Sequence, residues 1–416
     1  MPRPSAVLLA ALCLLLTPRP APAGENWPCW RGPRGDGTAE QCPDLPTSFL
    51  PDQNLVWKTD LPGEGHASPI IWENRIFTVS ADPATEERLL LCLDRATGSL
   101  LWKQPVLKSP FESLHRLNSH ASSTPATDGQ RVYVSFLDQT QMYVAAFDFD
   151  GKRLWEARPG VFSSKHGFCS SPVLWKDKVI INGDHDGEAY LVALDAATGK
   201  ELWKTPRPNK TRSYCVPLIR TIGDRNEMIL SGSKSVASYD PDTGVQQWLI
   251  DGPTEQYVAS MVYNGSLLFL TCGFPEHHMM AIRPGGSGNV TASHIVWRTQ
   301  KAASYVPSPV SIGPYFVVVS DGGVASCFVA DSGERLWMER IPEGRGHSAS
   351  LLTANGLVYF FSDDGLMSVV KPGPTFEVVA QSQLGEKVSA SPAVCGDHLF
   401  LRGETHLFCL GKPSLP

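Results

Sequence analysis

The 416-residue chain has no block of five like charges, and its formal net charge is only −6. That excludes the basic footprint on which nucleic-acid binders depend. It has no glycine-rich loop leading from a strand into a helix and no helical His-Glu-x-x-His. The phosphate cradle and the zinc-protease site are therefore both missing. No segment is apolar for long enough to cross a bilayer as a helix, so no transmembrane segment is expected. No two of the ten cysteines are adjacent. Glycine (36) and proline (34) are by contrast plentiful, as many short strands joined by many turns require.

The chain opens Met1-Pro2-Arg3, runs apolar from Ala6 to Leu16, and reaches Ala21-Pro22-Ala23. A positive start, a short apolar core and a small-x-small site predict a signal peptide cleaved after Ala23. Cys13 follows Leu12, where a lipoprotein site needs a small residue, so no lipid anchor is expected. The expected layout is a signal peptide over 1–23, an N-terminal extension over 24–53, the main domain over 54–411 and a tail over 412–416. An exported protein, periplasmic or secreted, follows. Cys92, Cys327 and Cys409 sit in apolar strand runs and read as buried thiols. Cys29 and Cys42 flank a turn-rich loop and are a candidate disulfide in an oxidising compartment; two free thiols are an equal alternative, because sequence does not fix connectivity.

What is present in abundance is a repeat. Ala193-Leu-Asp195-Ala-Ala-Thr198-Gly199-Lys-Glu-Leu-Trp203 is its clearest copy. Asp94 to Trp102 and Asp240 to Trp248 repeat it, and shorter forms end at Trp155, Trp297 and Trp337. Trp57 at the front and the apolar Phe376-Glu-Val378-Val379 near the back complete eight stations, spaced 40 to 53 residues apart. A period in the forties with several short strands per unit marks a β-propeller. Each unit begins at a Ser-Pro-like step (Ser68, Thr124, Ser171, Val216, Ser260, Ser308, Ser350, Ser391), followed by a turn and a β-branched strand. The motif Asp and Thr then bond their own turn and Gly supplies a positive φ. Trp57, Trp102, Trp155, Trp203, Trp248, Trp297 and Trp337 are expected to fill the wedges between blades. The last unit lacks a fourth strand and the first is preceded by a spare one around Trp57. The count favours an all-β, eight-bladed propeller of four-stranded antiparallel blades, its last blade closed by the N-terminal strand.

The Ala-x-Asp-x-x-Thr-Gly-x-x-x-Trp pattern resembles the tryptophan-docking motif of pyrroloquinoline-quinone (PQQ) dehydrogenase-like propellers. The lead-in Trp27-Pro-Cys-Trp30-Arg31-Gly32-Pro33, with Gly63-Glu-Gly65-His66, is similar to exported planctomycete-type propellers of that kind. The resemblance implies one of two roles: a quinone dehydrogenase, or a scaffold like the lipoprotein propeller of outer-membrane protein assembly. Many dehydrogenases of this fold hold the quinone with calcium and a disulfide between adjacent cysteines. This chain lacks such a pair, and Asp184, Asp186 and Glu188 read as turn residues or as oxygen donors. No cofactor is assigned, and PQQ with calcium belongs to the dehydrogenase alternative.

Polar residues recur just before each innermost strand: His66, Arg116, His120, His166, Arg212, Tyr257, Tyr305, Arg345 and His347. In a propeller these positions gather at one mouth of the central channel. They suit a polar or anionic ligand, with histidine charge strengthening binding below about pH 6.5. They equally suit a hydrated cap over the funnel. His66, His120 and His347 are of a metal-ligating type, but no metal is assigned. The expected function is an exported, non-catalytic binding or scaffolding module at the cell envelope. Its expected partner is an unknown protein or a polar or anionic small ligand, and a monomer is expected.

Overall fold

The computed structural model describes residues 25–50, 53–232 and 234–412. The expected signal peptide, and the tail beyond Lys412, lie outside the described residues. Eight antiparallel sheets follow one another along the chain and form an eight-bladed propeller. The first blade is Ile70–Trp72, Arg75–Asp82, Glu87–Asp94 and Leu100–Lys108. Its short innermost strand lies against Ala126–Thr127 of the second blade and against Ala393–Cys395 of the eighth. The ring is therefore closed. Leu55–Asp60 supplies the fourth strand of the eighth blade by pairing with His406–Leu410, as the strand count requires. That pairing removes the open edge a broken ring would carry.

One bulge recurs at the same place in every blade. Cys92 pairs with Trp102 but the next residue, Leu93, pairs with Leu100, which leaves Leu101 as the extra residue. The same slip isolates Leu154, Leu202 and Val296. A bulged residue is turned out of the ladder, and these apolar side chains are exposed. In the seventh blade Val369 pairs with Ala380 and Val370 with Val378. The docking position there is therefore Ala380, two residues beyond the station that apolarity alone suggests.

The docking of each ring explains why the motif carries glycine. Trp155 donates Nε1–H to the Ala196 carbonyl of the following blade (3.0 Å). Gly199 of that blade has φ +71°, and a Cβ there would lie 2.5 Å from the Trp155 ring. Only glycine tolerates both the left-handed backbone and the contact. Trp57, Trp102, Trp297 and Trp337 make the same bond to Arg95, Phe149, Ala330 and Gly373. Trp203 packs over Gly244 without it. Trp248 is the exception, fully buried and bonded to Glu227 of its own blade (2.8 Å). The fifth blade has no Thr-Gly turn to receive it, and its Gly288–Asn289 instead adds a parallel strand to the fourth blade.

A belt of hydroxyls joins the innermost strands. The amides of Ser68 and Thr124 donate to Thr124 Oγ1 and Ser171 Oγ (both 3.0 Å). Val216, Ser260, Ser308 and Ser350 donate in turn to Ser260, Ser308, Ser350 and Ser391 at 2.9 to 3.1 Å. The Ser-Pro-like steps are thus positions where a hydroxyl accepts from the neighbouring blade.

Candidate functional site

The N-terminal extension crosses the base of the channel. Trp27 exchanges backbone hydrogen bonds with Ile71 of the first blade (2.9 and 2.8 Å), and Pro28 accepts from Thr127 of the second. Arg220 of the fourth blade bonds the Arg34 carbonyl and Asp36 (3.1 Å). Gly37 and Ala39 pair with Thr353 of the seventh (both 2.8 Å). Arg31 is 1% exposed and donates to the carbonyls of Asp36 and Pro309 (2.7 and 2.5 Å). Burial pushes it down to about 10, so it stays cationic at neutral pH. Trp30 turns into the channel and lines its cavity.

Of the two readings left open for Cys29 and Cys42, a disulfide or two free thiols, the structure has the second. Cys29 sits at the turn of the plug and donates to the Gly32 carbonyl (3.0 Å). Cys42 lies beyond the crossing, where Asn355 of the seventh blade bonds its carbonyl (2.6 Å). The intervening chain spans the channel floor, which carries the two sulfurs to different blades.

Above Trp30 lies a cavity of about 300 Å³. Of the residues expected at the mouth, His66, His166 and Tyr305 line it. His66, Arg116 and His120 line a second cavity of about 480 Å³ beside the mouth. Arg212, Tyr257, Arg345 and His347 line neither. Arg212 is held by both carboxylate oxygens of Asp186 (each 2.8 Å). Tyr257 is fully buried in the core shared by the fourth and fifth blades. Arg345 is exposed. His347 is 2% exposed and neither ring nitrogen has a partner. His120 stacks on Phe111 (4.1 Å) and its Nε2 meets the Glu112 carbonyl (2.9 Å). It thereby braces the loop that Arg88 anchors through Glu112 (2.6 Å).

The charge state of the mouth also differs from the expected one. Burial, with the Arg402 guanidinium adding to it, pushes His66 down to about 4. Burial pushes His347 down to about 4 as well. His166 is lowered by burial and by Arg212 and His115 nearby. Protonation near pH 6.5 therefore does not charge His66 or His347. His66, His120 and His347 do not form a metal cluster, and no group of three potential ligand side chains does among the described residues.

Two features of the wall were missed. Asp321 lines the cavity and accepts the Tyr305 and Val306 amides (3.0 and 3.1 Å). Nothing in its Ser-Asp-Gly-Gly context separates it from a turn aspartate. The hydroxyl belt had a readable signal, because a Ser or Thr recurs at the blade period.

A family model described as outer membrane protein assembly factor BamB matches residues 51–136. Polyvinylalcohol dehydrogenase of Sphingopyxis sp. (strain 113P3) is 24% identical over 280 residues, 56% of this chain and 40% of that protein. The chain thus matches well under half the length of that relative. A crystal structure of BamB from Moraxella catarrhalis superposes with a TM-score of 0.61 at 11% identity, covering 87% of this chain and 98% of the other. Quinohemoprotein alcohol dehydrogenase from Comamonas testosteroni gives 0.65 at 13%, covering 94% and 81%. The chain has the PQQ-like β-propeller fold.

In a PQQ-like propeller the group implied by the fold is a tricarboxylate quinone with its cation. The wall residues of this central cavity do not fit it. They include no lysine or arginine, and their one carboxylate is Asp321. A tricarboxylate would meet imidazole, serine and tyrosine in place of guanidinium and ammonium groups. Tyr305 offers a phenol that burial pushes up to about 12, a hydrogen-bonding group and not a base. The arrangement can offer hydrogen bonds to polar, uncharged atoms.

Proposed function

We propose that this PQQ-like propeller is an exported, non-catalytic binding module of the cell envelope, receiving a polar ligand or a partner protein at the open mouth of a one-ended funnel. The observation that carries the reading is the wall of the central cavity, closed below by Trp30 and its plug and lacking the cations a quinone would need. A BamB-type family match over 51–136 agrees with a binding role. His66, His166 and Tyr305 are the side chains proposed to meet the ligand. The mature chain is proposed to be a monomer.

The second reading is a quinone-dependent oxidoreductase, favoured by the match to polyvinylalcohol dehydrogenase. Mixing the purified full chain with PQQ and calcium, then assaying alcohols and sugars with an artificial electron acceptor, separates the two. No turnover above the quinone-free control is expected. Sustained turnover abolished by Asp321→Asn would overturn the binding-module reading.

A further inference from the structure

The seam where the eighth blade meets the first holds the cavity of about 480 Å³. Arg402 forms part of its wall and is 1% exposed. Nη1 donates to Thr78 Oγ1 (3.0 Å) and to the Val79 carbonyl, and Nη2 donates to Ser80 Oγ (2.9 Å). These acceptors, and the Ala67 carbonyl at 3.5 Å, are all neutral. Nε has no partner, and none of the ion pairs among the described residues includes Arg402. A buried guanidinium ordinarily has a counter-charge, because removing it from water unpaired is costly. Here burial alone pushes it down to about 9, with no carboxylate to hold it up.

Arg402 is almost fully buried in the cavity wall, and Gly65 of the first blade packs against it without a side chain: a Cβ there would lie 2.7 Å from Nη2. Asp363 lies on the same cavity wall with Oδ1 unpartnered, while the Ser348 hydroxyl and backbone N–H both donate to its carboxylate. Lys387 and Glu404 pair at the rim (3.7 Å), while Arg116 and Glu64 are exposed there. Asn118, Ser119 and Ser389 supply further polar surface. One buried cation without a counter-charge, one carboxylate oxygen without a donor and a hydroxyl-rich wall specify two poles of a ligand.

We propose that the seam cavity binds a small sugar acid, its carboxylate against Arg402 and one hydroxyl donated to Asp363. The proposal rests on the binding-module reading and names the chemistry of the ligand. A planar guanidinium suits a carboxylate. The carboxylates of Glu64, Asp363 and Glu404 around the cavity disfavour a more highly charged anion. A cavity of this size lies within the range of small-molecule sites.

The test uses the full chain and three probes: D-galacturonate, D-galactose, which has a neutral CH2OH in place of the carboxylate, and propionate, which has the carboxylate without the hydroxyls. Calorimetric titration should show galacturonate binding at least about tenfold more tightly than either control, a difference worth about 1.4 kcal/mol. Asp363→Ala should bring galacturonate down towards propionate, and Arg402→Met should abolish the preference over galactose. If Arg402→Met does not fold, hydrogen exchange on the unaltered chain decides the location. Galacturonate should then slow exchange in residues 64–67 and 402–406. Equal affinity for galactose, no binding of galacturonate, or protection centred on Tyr214 and Tyr305 would each overturn the proposal. None of these results bears on quinone turnover, so the two readings fail separately.

Discussion

At the scale of single residues, the buried histidines make the stability of this propeller depend on pH. His347 has a folded-state pKa of about 4, below the ordinary value near 6.5. Between those values the unfolded chain takes up a proton that the folded chain refuses. Stability should therefore fall as pH drops from about 6.5 to about 4, and His347 should add nothing above that window. Its steepest slope is about 1.4 kcal/mol per pH unit. Urea midpoints measured between pH 7 and 5 should slope less in His347→Phe than in the parent chain. An unchanged slope would mean that His347 titrates normally. Arg31→Ala should cost about 2 kcal/mol, because the buried carbonyls of Asp36 and Pro309 lose their donor; chemical denaturation reads this directly. Of the histidines expected at the mouth, His66 and His166 line the central cavity, His120 lines only the cavity beside it, and His347 is buried away from both. Their charge was not legible in the sequence either, since it depends first on burial and, for His66, on Arg402 from the far end of the chain.

At the scale of the blade, the repeat was the most legible part of the sequence because local chemistry dictates it. Thr198 N–H and Oγ1–H both donate to Asp195 Oδ1 (2.8 and 2.7 Å), and the Gly199 amide closes on the Asp195 carbonyl (2.8 Å). Gly199→Ala should destabilise by about 1–3 kcal/mol through strain and the clash with Trp155. Trp155→Ala should cost about 3–5 kcal/mol. Both should shift the denaturation midpoint, and a silent Gly199→Ala would refute the docking geometry. Two blades escaped a sequence reading for physical reasons. In the fifth, a glycine-rich insertion replaces the turn and pairs sideways with its neighbour. In the seventh, the next blade offers no turn to dock on, because that is where the two ends of the propeller meet at Asn54 and Gly411 (2.9 Å). Ala380 suffices there.

At the scale of the whole molecule, one strand and one plug close two different openings. Removing residues 25–60 should leave the eighth blade one strand short and the channel without a floor, giving aggregates in size-exclusion chromatography. Removing only 25–39 should leave a monomeric propeller with a lower melting temperature. If the shorter deletion also aggregates, the plug is needed for folding and not only for closure. The hydroxyl belt has a wider consequence. Val216 has no hydroxyl to receive the Ser171 amide, and Ser68 Oγ is left without a partner beside Ser391. The belt is therefore two arcs, one of three blades and one of five, meeting at unlaced joints. Chain breaks belong at such joints. A circular permutant that links Lys412 to Gln53 and opens between Arg207 and Arg212 would exchange one unlaced joint for the other as its seam. Two fragments cut in that same loop should recombine, with Leu55–Asp60 of one completing the sheet of the other.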